Sequence, residues 1–181
     1  MTVIVDGTNG LTFPDVSIQA TSATNATNIS AGTLPFARLP TGSVLQVVQG
    51  VLTGIFSTSS TSYVTSGLTA SITPKFSTSK VLIMCNMGQC YMSNSLVSFN
   101  ATLYRGSTNL SPNATVTKGF AELNAVSSGA LVANQTMIYL DSPATTSNTT
   151  YSAYIAAGAA GTVTINQDGG TSTITLMEIA G

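Results

Sequence analysis

From Ser43 onward the chain is a succession of short apolar or alternating runs, each closed by residues that turn the backbone. That rhythm leaves room for little besides β-structure. In Leu96–Arg105, the residues Val97, Phe99, Ala101 and Leu103 share one parity, while Ser98, Asn100 and Thr102 share the other. In Thr162–Asn166, Val163 and Ile165 oppose Thr162 and Thr164. A pleated strand sends alternate residues to opposite faces, so such runs have one apolar and one polar side. The same reasoning predicts strands near Ser43–Thr53, Ser62–Thr65, Leu68–Thr73, Val81–Met92, Thr115–Phe120, Asn134–Asp141, Thr150–Ala156 and Thr173–Ile179. Turn chemistry recurs at Arg105–Asn109, Ser111–Asn113, Asp141–Pro143 and Asp168–Gly170. One helical candidate remains, Gly119–Val126, long enough for two turns. The expected fold is all-β, with an antiparallel β-sandwich of jelly-roll type over residues 43–181.

Residues 1–42 read differently. A short β-like run, Thr2–Val5, leads into turns at Asp6-Gly7 and Asn9-Gly10. Gln19–Asn28 is built from small residues, with too few large apolar side chains for a core of its own. Packed between identical chains, such a stretch forms a narrow stalk. Gly32–Gly42 contains Pro35 and Pro40, which oppose helix and regular sheet, so it is expected to be an extended connector.

Charge is scarce. Among 181 residues there are five Lys and Arg, six Asp and Glu, and no His or Trp, for a net charge of -1. Ser and Thr together supply about fifty residues. A hydrophobic fraction of 43% argues against disorder. A soluble monomer normally keeps its surface wet with charged side chains. This chain must use hydroxyls and amides instead, or hide surface between subunits. Two runs favour the second route. Val81–Met92 is apolar on both parities, and in Ser172–Ile179 the residues Ile174 and Leu176 share one face while Met177 and Ile179 share the other. A single sandwich covers one face of each sheet, so the second cover is expected from another subunit. Five scattered basic residues cannot neutralise a phosphate backbone, so nucleic-acid binding is not expected. The apolar runs are too short and broken to insert into a membrane, and the first residues lack the basic and apolar regions of an export signal.

The residues that carry chemistry are few. General acid–base catalysis most often uses His, which is absent. The carboxylates Asp6, Asp15, Glu122, Asp141, Asp168 and Glu178 show no paired spacing, and a glycosidase-type pair could arise only through tertiary contact. Ser77-Thr78-Ser79-Lys80 matches a Ser-x-x-Lys pattern but precedes a strand, where the nucleophile would need a helix start. Asp168-Gly169-Gly170 lacks the spaced acidic ligands of a calcium loop and reads as a turn. Cys85 and Cys90 make a poor zinc site and read as buried free thiols, on opposite faces if the strand is regular; a bridge would need a hairpin turn over residues 86–89. The six tyrosines, Tyr63, Tyr91, Tyr104, Tyr139, Tyr151 and Tyr154, could stack on sugars but are spread over several strands, where packing explains them. No catalytic, cofactor-binding or metal-binding residues are expected, and the chain is not expected to be an enzyme.

Several stretches, taken in order, point further. Gly7–Asp15, followed by the Gln/Ala/Thr-rich stretch, resembles the N-terminal segments of tailed-bacteriophage fibre-like proteins. Ile29–Val48 resembles the connector into their C-terminal domain, and Tyr63–Lys75, Ser79–Ile83, Leu103–Thr108 and Ser172–Ile179 resemble that domain's landmarks. The resemblance implies a homotrimeric virion protein, assembled in the bacterial host cytoplasm, with a jelly-roll-like knob. Residues 1–15 would dock on baseplate, tail or capsid, with Val3, Val5, Leu11 and Phe13 as apolar anchors. Residues 16–42 would form the stalk, and the knob would meet a host surface glycan or outer-membrane protein. Both a tail fibre or fibre tip and a capsid decoration protein or head fibre fit the pattern. Ser, Thr and Asn occur on every loop, so no receptor-binding residues stand out.

Overall fold

The computed structural model describes residues 4–6, 10–12, 18–19, 35–93, 97–111, 119–124, 131–159 and 161–181. The chain divides into two units, Met1–Arg38 and Leu39–Gly181. In the first, β1 (Ile4–Asp6), β2 (Gly10–Thr12) and β3 (Ile18–Gln19) form an antiparallel sheet with β2 in the middle. Its register sets Val5 opposite Leu11 and Thr12 opposite Ile18. β3 falls inside the segment expected to be stalk. The connector is not wholly extended: Phe36–Arg38 makes one 3-10 turn, closed by the Arg38 N–H on the Pro35 carbonyl at 2.9 Å. A proline tolerates this position because its missing N–H has no partner at the start of a helical turn.

The second unit contains β4 (Val44–Leu52), β5 (Phe56–Thr58), β6 (Val64–Ile72), β7 (Lys80–Met92), β8 (Ser98–Arg105), β9 (Thr108–Asn109), β10 (Ala121–Asn124), β11 (Leu131–Asp141), β12 (Thr149–Ala157), β13 (Val163–Ile165) and β14 (Ser172–Ile179). Their pairing is nested and antiparallel throughout. β4 and β5 pair with β14 and β13, β6 pairs with β12, β7 with β11, and β8 with β10. The second half of the unit thus retraces the first, as in one long ribbon folded over itself. Two sheets result. In one, β11 lies beside β7, then β14 and β13 lie end to end along the other edge of β7, with β4 and β5 outermost. In the other the order is β10, β8, β12, β6, and β9 also pairs with β8. The expectation of an all-β, antiparallel fold holds.

One apolar cluster joins the sheets. Val81, Ile83, Cys85, Ile174 and Leu176 come from the first sheet, and Leu68, Ile72, Phe99, Leu103, Tyr151 and Ile155 from the second. Each large side chain buried this way contributes about 1.5–3 kcal/mol. Gly50 allows the edge strands β4 and β6 to close one side, since a Cβ there would lie 1.9 Å from the Thr69 carbonyl oxygen. At one end Arg105 of β8 forms an ion pair with Asp141 of β11 at 2.8 Å, and the Tyr151 hydroxyl donates to the same carboxylate at 2.7 Å.

Three local expectations are corrected, and two short strands are new. Ala121–Asn124, within the helical candidate, is a strand, because pairing with Ser98–Ala101 overrides a weak helical preference. The two candidates Ser62–Thr65 and Leu68–Thr73 merge into β6 across Gly67, whose φ of +83° a glycine adopts without strain. β5 and β9 were not foreseen, being two or three residues long. Finally, Cys85 and Cys90 lie on the same face. Between Ala133 and Gln135 the partner strand advances two residues while β7 advances three, from Met87 to Cys90. This bulge, with Gln89 at φ +43°, inverts the parity, so Cys85 and Met87 before it and Cys90 and Met92 after it all face the core.

Candidate interaction surface

The bulge also decides what β7 shows to the other side. Leu82, Met84 and Asn86 point outward, and the register brings outward residues of four strands into rows. Val47, Met177, Leu82 and Leu140 form one row: Val47 opposes Met177, Met177 opposes Leu82, and Leu82 opposes Leu140. The next row is Gln49, Thr175, Met84 and Ile138, and the third is Val51, Thr173, Asn86 and Thr136. Beyond the first row Ile179 stands between Val44 and Lys80. Several of these side chains stay open to water: Ile138 is 59% exposed, Val47 55%, Leu140 47% and Met84 40%. Lys80 is the only charged residue among the outward positions of these four strands. A solvent-facing sheet surface normally carries polar residues opposite its buried ones. Here two neighbouring rows hold six large apolar side chains, so the local rule is broken over a contiguous area.

The outer face of the second sheet obeys the rule. Thr65, Thr69 and Ser71 of β6 stand beside Thr150, Ser152 and Tyr154 of β12, and Glu122 and Asn124 lie on β10. Hydroxyls link the strands: Ser71 with Thr150 at 2.7 Å, and Ser152 donating to Thr69 at 3.1 Å. Tyr104 and Tyr154 stack at 4.0 Å between ring centres. The Tyr63 hydroxyl is buried without a hydrogen-bond partner among the described residues. Burial first, then the neighbouring Tyr104 and Glu122, push its pKa up to about 12, so the phenol stays protonated.

The titratable groups inside the unit are occupied with structure. Glu178 is fully buried. It accepts from the Lys75 backbone N–H at 2.6 Å, the Ser79 hydroxyl at 2.7 Å and the Gln46 amide at 2.5 Å. Burial pushes its pKa upward, but these bonds and one from the Phe76 N–H outweigh it and hold the group below the usual value. Ser79, inside the Ser77–Lys80 stretch, therefore serves as a donor to this carboxylate, while the motif's own serine, Ser77, lies in the turn before β7. Tyr151 is held protonated, well above its ordinary pKa, by burial and by its bond to Asp141. Cys85 and Cys90 are free and buried, and burial raises both thiols to about 12. At neutral pH neither is a thiolate, the form that attacks or binds metal. Among the described residues no three His, Cys, Asp or Glu side chains gather to hold a metal ion, and no helix is long and apolar enough to cross a membrane.

Of the expected attachment residues, Val5 and Leu11 are brought opposite each other by the β1–β2 pairing, whereas Val3 and Phe13 lie outside the described residues. The apolar rows were only half foreseen. Leu82 and Met177 stood out as the second parity of their runs, but Val47, Ile138 and Leu140 did not. The available signal was the even parity of Val132, Ile138 and Leu140 in β11, set against the buried Met137. No family model matches the chain, and no curated protein matches its sequence.

Proposed function

We propose that this chain is a bacteriophage virion structural protein, a homotrimeric tail fibre or fibre tip that mediates attachment to the host surface. The division after Arg38 carries the proposal: a short strand-bearing segment precedes a separate unit whose strands pair in nested order. That plan fits an attachment segment followed by a jelly-roll-like knob. Low charge and a hydroxyl-covered sheet face suit a durable assembly, the thiols are buried, and the buried carboxylates have structural partners. Attachment would work through avidity, with weak sites repeated on each trimer and on several trimers per particle. Val5 and Leu11 would belong to the segment that docks on the particle.

A second reading is a capsid decoration protein or head fibre that clamps neighbouring capsid subunits; the apolar rows on the outer face of the β11–β7–β14–β4 sheet, suited to packing against protein, favour it. Cryo-electron microscopy of the particle separates the two. Density for this chain on the tail or baseplate supports the fibre reading. Density at the capsid three-fold positions supports decoration and overturns it, and absence of the chain from purified particles overturns both.

A further inference from the structure

We infer that copies of this chain associate through the outer face of the β11–β7–β14–β4 sheet, with the Val47–Met177–Leu82–Leu140 row and the adjoining Met84 and Ile138 at the centre of the contact. The identity of the partner, a second copy of this chain, rests on the trimeric reading above. The choice of face rests on the geometry. The register places six large apolar side chains in two adjacent rows. Among the described residues the opposite sheet, with outward Thr65, Thr69, Ser71, Thr150 and Ser152, has no comparable patch. β11 adds a second observation. It is eleven residues long, pairs only with β7 among the described residues, and exposes Val132, Ile138 and Leu140. Its first ten residues carry no charge and no proline. Edge strands of soluble proteins are usually shielded by those devices, and an unshielded apolar edge is normally covered by something.

Size and charge fit a copy of the same chain. With β13 and β5 continuing β14 and β4 along the rest of the 13-residue β7, the sheet is four strands wide and makes a face about 20 Å across and about 40 Å long, on the order of 800 Å². A stable protein interface takes about 800 Å² from each partner. With Lys80 as the one charge on these outward positions, two or three such faces meet without like-charge repulsion across their centre, whereas a strongly charged partner would find nothing to pair with.

The test uses the full-length protein. Light scattering gives its mass, and peroxide oxidation with peptide mass spectrometry reports the access of each methionine. In an isolated chain Met84, 40% exposed, oxidises much faster than the fully buried Met87. The inference expects a mass above one chain and Met84 protected about as well as Met87. It also expects I138K/L140K to give single chains with Met84 oxidised at least tenfold faster, while T69K/S152K on the opposite face leaves mass and protection unchanged. A single-chain mass for the wild type overturns the inference, as does an oligomer in which Met84 oxidises freely or one dissolved only by T69K/S152K. Should I138K/L140K fail to fold, wild-type Met84 protection decides alone. A mass of two or four chains with Met84 protected supports this face and contradicts only the three-copy reading.

Discussion

Glu178→Gln tests whether a buried carboxylate, rather than an apolar contact, fastens the 73–79 loop to the sheet. The carboxylate accepts from Lys75 N–H, Ser79 Oγ and Gln46 Nε2. The glutamine keeps the shape but turns one acceptor into an NH2 group. Gln46 cannot reverse its amide to accommodate it, because the same Nε2 donates to the Thr73 carbonyl at 2.7 Å. Two charge-assisted bonds become neutral ones, at about 1 kcal/mol each, and one donor faces another, at about 1–3 kcal/mol. Relief of charge burial offsets part of this. The net expectation is a loss of about 2–3 kcal/mol at neutral pH. The folded pKa lies below the usual 4.5. The carboxylate therefore stabilises the fold fully above pH 4.5, and that contribution is lost as pH falls through the lowered folded value. The gap between wild type and variant must narrow in acid. Urea unfolding followed by circular dichroism, at one protein concentration, measures it at pH 7 and at pH 4. A gap under about 0.5 kcal/mol at pH 7, below the range for a lost charge-assisted bond, or one that widens in acid, would refute the reasoning.

Three further outcomes follow from the same structure. Tyr151→Phe removes a donor from the buried Asp141 while leaving Arg105 in place, and should lower stability by about 1–3 kcal/mol in the same unfolding assay; an unchanged midpoint would mean the hydroxyl is dispensable. Gly50→Ala sets a Cβ against the Thr69 backbone, where no rotamer change helps, so a loss of about 1–3 kcal/mol is expected, and a neutral result would show that β4 and β6 separate freely. Cys85 and Cys90 should resist iodoacetamide at pH 8 in the folded protein and react promptly in urea, and rapid labelling of the native protein would contradict their burial.

Strand positions were legible because alternation and turn residues are local. β4, β7, β11, β12 and β14 fall within a few residues of the runs that announced them. What local reading could not supply was pairing. Ala121–Asn124 has a mildly helical composition and becomes a strand only because β8 offers it a ladder. Alternation alone cannot follow the parity of β7 past Met87, because the bulge depends on how β11 pairs across it, and so a regular strand sets Cys85 and Cys90 on opposite faces. The outward apolar surface was partly legible for the same reason. Leu82 and Met177 stand out within their own runs, but their neighbours Val47 and Leu140 lie far off in sequence and join them only through register.

The molecular mass of the full-length protein in solution bears most directly on the whole account, since shared burial of the exposed sheet face requires more than one chain. Sedimentation equilibrium at micromolar concentration should give three times the 18.4 kDa chain, without dissociation on dilution through that range. A mass of 18.4 kDa, with the outer face of the β11–β7–β14–β4 sheet open to water, would contradict it.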